Sequence, residues 1–370
     1  MNLRIPGPTP IPPSVRQAGA KQMINHRGPE FRDLVNGCVV GLKAGFQTKG
    51  DMVVLTSSGT GGLEAAISNV LSPGERTLVV TIGEFGDRVA KMCEVFGASV
   101  ARLSITPGQP ADPQSLRDAL KKEPLVNTVF ITHNETSTGV TQDLAALADV
   151  VKKEFGKTLV VDGVSSIGSL PFKMDEWGVD IAVSGSQKGW MTSPGLAFVA
   201  VSAQGWQAVK QAKMPRFYFD LNQAKDLQDK GQTPWTPAVS VLYQLQEGLR
   251  ILGEEGWDNV HKRHQRIGDY TRQGAQQLGL SLFAKEGSWS NTITAINVPQ
   301  GIAWADLNTM LLKEYATVLA GGQGALASKV FRIGHLGWVN EKDVQAALDS
   351  LESAIAKLRA KAPAAAHGKA

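Results

Sequence analysis

Three short segments of this 370-residue chain hold side chains whose types and spacing could do chemistry. In TSSGTGGLEAAI at 56–67, Ser58, Gly59, Thr60, Gly61 and Gly62 stand between a strand-like run and a helical pattern opening near Gly62. A glycine-rich turn that opens a helix exposes backbone N–H groups and the positive end of the helix dipole, which together suit a phosphate. The segment is neither GxGxxG nor a Walker loop, so a plain strand-to-helix turn is an equal reading of these residues alone. In LVVDGVSS at 159–166, Asp162 closes an apolar strand at the edge where α/β sheets bind ligands. A carboxylate there needs a partner. A protonated pyridine nitrogen would be one and would keep such a ring an electron sink; a helix N-cap or Asx turn is the alternative. In AVSGSQKGWMTSPG at 182–195, Lys188 follows a further strand among Ser184, Gly185, Ser186 and Gly189. Small neighbours admit close approach of a ligand, and desolvation would favour the free amine that imine formation requires.

These segments need a frame that brings strand ends together. From Asp51 to about Val201, short β-branched runs (MVVLT at 52–56, TLVVT at 77–81, NTVFIT at 127–132, TLVVD at 158–162, DIAVSG at 180–185) alternate with helical patterns. Near-continuous apolar strands separated by helices predict a mostly parallel sheet covered on both faces, a doubly wound α/β fold. Before it, Phe31, Leu34, Val35, Val39, Leu42 and Phe46 recur at helical spacing and predict one amphipathic helix from about Pro29 to Phe46. After it come helical patterns near 238–253 and 257–279, a strand at 292–298, a helix near 304–314, a strand at 331–334 and a final helix near 340–358. The expected organisation is an extended, proline-rich arm at 1–14, a large domain at 15–252, a smaller α+β domain at 253–358 and a disordered tail at 359–370.

Composition limits the function classes. The net charge of +4 resides in Lys357, Arg359, Lys361 and Lys369, leaving the rest balanced and without a basic stripe, so no nucleic-acid partner is expected. Cys38 and Cys93 have no CxxC spacing and read as buried small hydrophobes in a reducing compartment. His261 and His264, in HKRH, lack the Glu of HExxH; they are assigned to solvent, and no metal is expected. The N-terminus has no basic and apolar leader pattern, and no apolar run is long enough for a membrane span. A soluble cytoplasmic enzyme with no membrane partner is the expectation.

In order, PGPTPIPPSV, SGTGGLEAA, THNETSTGV, VDGVSSIG, SGSQKG, TPWTPAVS and FRIGHLG make nearly the whole chain resemble the class V aminotransferases. Within that family it resembles the alanine–glyoxylate, serine–glyoxylate and serine–pyruvate enzymes of pyridoxal 5'-phosphate (PLP) fold type I. The resemblance implies that Lys188 forms the Schiff base with PLP and moves the substrate proton, while Asp162 pairs with the pyridine nitrogen. It implies that Phe85, in IGEFGDR, lies on the ring face, where relatives often carry tryptophan; the smaller ring stacks with less area. Gly59 and Thr60 are expected at the phosphate, supported by Ser58 and joined by Gln187; some relatives carry histidine at the Thr60 position. Thr136, in NETSTG, is expected near the phenolic oxygen, with a simple turn contact as the other reading. Thr236, in PWTPAV, is expected to reach the phosphate in a neighbouring subunit, which implies a homodimer with shared active sites; capping a helix that starts near Pro237 is the other reading. Arg332, in FRIGHLG, is the candidate for binding the substrate α-carboxylate. Met23, Ile24, Asn25, His26 and Trp235 are candidates for the side-chain pocket.

The expected reaction is ping-pong transamination between a small amino acid, serine or alanine, and a small 2-oxo acid, glyoxylate or pyruvate. A cysteine desulfurase would need a cysteine well after the lysine and usually a histidine just before it. This chain has no cysteine beyond Cys93 and has Gln187 before the lysine. An aspartate or phosphoserine donor, kynureninase-like chemistry, and a non-catalytic aminotransferase-like subunit of a larger complex are the alternatives.

Overall fold

The structure is a computed structural model that describes residues 1–361. Seven strands form its main sheet: β1 Asp51–Ser57, β2 Arg76–Thr81, β3 Ser99–Ser104, β4 Thr128–Thr132, β5 Thr158–Asp162, β6 Ile181–Gly185 and β7 Gly195–Val201. Their spatial order is β1-β7-β6-β5-β4-β2-β3. Pairs from β6 through β3 are parallel, and β7 runs antiparallel to both β1 and β6. Strands read from their apolar runs all form. β3 and β7 had not been singled out. SVARLS is largely exposed at the sheet edge and has no apolar run to mark it, while GLAFVAV is apolar but nothing local sets its direction.

Alternation along each strand sends side chains to two cores. Leu159 and Val161 of β5 face one, with the helix α1 (Pro29–Phe46) and the helix α4 (Val239–Glu255); Val160 faces the other, with α2 (Gly59–Val70) and α3 (Glu84–Val95). Each such fully buried Val or Leu contributes about 1.5–3 kcal/mol. The α1 span is met from Pro29 to Phe46: Phe31, Leu34, Val35, Leu42 and Phe46 are buried while Val39 is only partly so, Pro29 occupies the first turn, and Gln47 ends the helix at φ 49°.

A smaller sheet follows, with β8 Ile293–Asn297 and β9 Ala320–Gly321 flanking β10 Val330–Gly334, all antiparallel. Helices α5 (Trp257–Gln277), α6 (Trp304–Tyr315) and α7 (Glu341–Lys361) pack over it. Three expectations change here. Helix α4 runs through Gly253, and the break comes at Gly256, whose φ of 80° suits glycine. The arm does not run to residue 14, because Pro13 opens a short helix, Pro13–Ala18, at a position where its missing N–H costs nothing. The arm also lies on its own chain: Asn2–Leu3 pairs in parallel with Thr317–Val318. Finally, α7 continues to Lys361, so residues 359–361 are helical, and the expected tail from 362 lies outside the described residues.

His264 is likewise corrected. It is fully buried, with Nδ1 2.7 Å from the Val260 carbonyl and Nε2 accepting the Gly337 N–H at 3.0 Å, so helix periodicity turned it inward as a neutral strut. Burial holds it well below the usual histidine range. His261 is only partly buried. No helix among the described residues is long and apolar enough to cross a membrane, and none of their His, Cys, Asp and Glu clusters could hold a metal ion.

Candidate active site

Register brings most of the predicted residues to one edge of the main sheet; Arg332 and Thr236 come from elsewhere. Thr132 stands opposite Asp162, Asp162 opposite Val183, and Gly185 opposite Ala197 near the start of antiparallel β7. The segments leaving β1, β2, β4, β5 and β6 at this edge carry Ser58–Thr60, Phe85, Thr136, Asp162 and Gln187–Lys188 respectively. This is the carboxyl-terminal edge of the parallel strands, the usual ligand crevice of such sheets.

The turn after β1 opens α2 at Gly59 rather than Gly62. Its first backbone closure is Gly62 N–H to Ser58 O at 3.0 Å, so the N–H groups of Gly59, Thr60 and Gly61 precede the helical ladder. A Cβ on Gly59 would lie 2.7 Å from Val164 Cγ2; glycine lets the helix start directly against the turn that follows Asp162. Gln187 belongs to the same cluster, and its Oε1 is buried without a partner among the described residues.

Asp162 is 7% exposed, and Oδ1 accepts the Val164 N–H at 3.0 Å. Among the described residues its carboxylate has no other hydrogen bond and no salt bridge. Burial pushes it up to about 6, against the opposing Val164 hydrogen bond and the Lys188 and Arg88 charges. Its backbone O accepts the His133 N–H at 3.0 Å, tying β5 to the loop that carries Thr136. The Asx-like turn proposed as the alternative is therefore present, and it leaves the second carboxylate oxygen unspent.

Lys188 is partly buried, and its Nζ donates to Pro6 O at 2.5 Å. Desolvation, then Arg332, lowers it to about 8, with Asp162 opposing. Gly7 presses on the same amine: a Cβ there would lie 2.7 Å from Nζ. Thr9 N–H donates to Gln187 O at 3.1 Å and its hydroxyl to Lys188 O at 3.3 Å. The arm thus forms one wall of the site.

Arg332 sits in β10 between Ala295 and Ala320, whose small side chains leave room for it. It is 5% exposed and donates to Gly321 O at 2.9 and 2.7 Å and to Thr136 O at 2.9 Å. No carboxylate pairs with it among the described residues, so the surface salt bridge is not its role. Burial lowers it to about 10, while the Glu135 charge acts in the opposite sense. Phe85 lies in the first turn of α3 with the Arg88 guanidinium 4.6 Å from its ring centroid. Thr136 is buried. Thr236 is exposed; it caps no helix, since α4 begins at Val239 after Ala238, whose N–H donates to Thr56 Oγ1 at 3.1 Å. Trp235 stacks on Tyr218 at 5.7 Å, and Met23 is 53% exposed.

Residues 5–346 match the family model of aminotransferase class V. The chain belongs to the class V aminotransferases. This aminotransferase is 41% identical to the soluble hydrogenase small subunit of a Synechococcus species, over 96% of this chain and 93% of that one. It is 37% identical to the serine–glyoxylate aminotransferase of Methylorubrum extorquens, over 96% of this chain and 90% of that one. Among solved structures it resembles an alanine–glyoxylate aminotransferase from Nostoc, with a TM-score of 0.92 and 31% identity, covering 96% of this chain and 95% of the other.

Two parts of this aminotransferase's site had not been singled out. One is the Pro6–Gly7 wall, whose only signal was its proline-glycine content. The other is Glu135, fully buried, which accepts from the Phe85 and Gly86 N–H groups at 3.1 Å each and from Ser137 N–H and Oγ at 3.0 and 2.6 Å. It caps α3, whose own N-cap is the side-chain-free Gly83. An acid inside NETSTG, among small polar residues, was the available signal.

Proposed function

We propose that this aminotransferase uses PLP to move an amino group from serine or alanine to glyoxylate or pyruvate. The observation that carries the cofactor reading is the convergence of an unpaired buried carboxylate, a desolvated amine and a guanidinium without a carboxylate: Asp162, Lys188 and Arg332. Each lacks what PLP and an amino acid would bring. Asp162 fits a protonated pyridine nitrogen, the open N–H groups of Gly59 and Thr60 with Ser58 and Gln187 fit the phosphate, and Phe85 offers a ring face. When bound, PLP supplies a carbonyl for imine chemistry and an electron sink.

The chain's own residues then have distinct work. Lys188 provides the nucleophilic amine and, once free, holds or returns a proton at Nζ, a task suited to a group near 8. Arg332 binds the substrate carboxylate through its fork and so orients the amino acid. Thr136 stands beside Arg332 through its carbonyl and offers its hydroxyl to the phenolic oxygen. The arm at Pro6–Gly7 limits water at the amine. Thr236 is exposed in the single chain, which leaves it available to a second copy in a homodimer.

Small donors and glyoxylate or pyruvate are supported by the likeness to serine– and alanine–glyoxylate enzymes. The hydrogenase-subunit name of a relative gives specific weight to a second reading, a subunit of a larger assembly. Purified protein decides between them. It should be yellow, with a band lost on borohydride reduction and absent from Lys188→Ala. Serine or alanine should bleach the band and glyoxylate or pyruvate restore it, with aspartate as the contrasting donor. A colourless protein that takes up no PLP would reject the catalytic reading, and bleaching by aspartate alone would reject the small-donor assignment.

A further inference from the structure

The N-terminal arm also borders a second cavity, of about 610 Å³, lined by Arg4, Arg16 and Lys342 together with Pro10, Ile11 and Trp338. Arg4 is 5% exposed, and its Nε is buried without a hydrogen-bond partner among the described residues. Its nearest carboxylate, Asp343, is 3.9 Å away, beyond hydrogen-bonding reach, and Asp343 Oδ2 already accepts the Asn340 N–H at 3.0 Å. Arg16 and Lys342 are exposed and form no salt bridge among the described residues. Three cations therefore share the cavity with one committed acid. A guanidinium removed from water is costly unless an anion meets it, and burial indeed holds Arg4 below the usual arginine range, with Asp343 opposing.

We propose that this cavity binds a small organic anion with at least two negative charges, anchored by Arg4 and flanked by Arg16 and Lys342. The volume suits a metabolite-sized ligand, and Pro10, Ile11 and the half-exposed Trp338 give its carbon body an apolar wall. Phosphate esters and polycarboxylates share the required chemistry. The site is continuous with the active site along the arm: Arg4 O accepts the Gly334 N–H at 2.8 Å, at the end of the strand carrying Arg332, and Pro6 O holds Lys188. An occupant braces that arm.

Titration calorimetry on the PLP-loaded protein, whose catalytic phosphate cradle is filled, tests the site with citrate and, separately, with glycerol 3-phosphate. One saturable site per chain is expected for at least one titrant, and the titrant that binds identifies the source chemistry. Affinity should fall about tenfold or more in Arg4→Met and less in Lys342→Gln, with the PLP absorption band unchanged. If Arg4→Met does not fold, the rim double variant Arg16→Gln with Lys342→Gln should show the loss instead. Absence of saturable binding by both titrants, or binding indifferent to these substitutions, overturns the proposal.

Discussion

Arg332 Nη1 donates to the backbone carbonyl of Thr136 at 2.9 Å, joining residues 196 positions apart. The bond ties the smaller sheet to the loop after β4 and sets the guanidinium beside the amine of Lys188, whose pKa it helps lower. A lysine at this position keeps the charge but loses the planar fork and most of these carbonyl contacts. Arg332→Lys should therefore reduce kcat/KM for the amino donor on the order of 100-fold, about 2.7 kcal/mol, while the cofactor band persists. Steady-state kinetics alongside the absorption spectrum checks both halves; equal loss of the band would move Arg332 to a structural role.

With Lys188 as the proposed cofactor amine, its lowered pKa should set the pH dependence of PLP uptake. Imine formation needs the neutral amine, and moving the group from 10.5 to about 8 raises the neutral fraction at pH 7 by about 300-fold. Asp162, near 6 in the free protein, becomes anionic above that pH and can then pair with a protonated pyridine nitrogen. Uptake of PLP by the cofactor-free protein should accelerate from about pH 6 to 8 and level off beyond, as followed by absorbance after mixing. A rate still climbing tenfold per pH unit above about 9 would contradict the desolvated amine.

Gly7 adopts φ 136°, and a Cβ there would meet Lys188 Nζ at 2.7 Å. Gly7→Ala should slow covalent PLP attachment by about tenfold or more, because the amine must leave its place or the arm must lift. Circular dichroism and the thermal midpoint should change little, since the arm's pairing at Asn2–Leu3 is untouched. Unchanged attachment kinetics would remove the arm from the site.

Glu135 has burial pushing its pKa up while its hydrogen bonds with Ser137 and Gly86 pull it down. Glu135→Gln turns an acceptor-only group toward N–H donors and removes the charge at the start of α3. We expect a loss of about 2–3 kcal/mol in stability, read as a lower thermal midpoint, together with weaker PLP affinity as Phe85 loosens. A variant as stable as the parent would show that the serine hydroxyl and helix dipole suffice without the carboxylate.

Much of this protein was decided locally. Near-continuous apolar runs specified the buried strands, the 3.6-residue recurrence specified Pro29–Phe46, and small residues around Lys188 and beyond Ser58 marked places where a ligand could approach. Such features depend on neighbours in the chain, so their residue types carry them. What tertiary structure alone decided is long-range. It ran β7 antiparallel, turned His264 into the core, laid Pro6, Gly7 and Thr9 against the chain's own Lys188, and made Glu135 the cap of a helix that starts about 50 residues earlier. In each case an unsatisfied polar group or uncovered surface is answered by a partner that local spacing does not specify. Lys188 was legible as an oddly placed lysine; that its amine is desolvated, held by Pro6 and acted on by the opposing charges of Asp162 and Arg332 is a property of the fold.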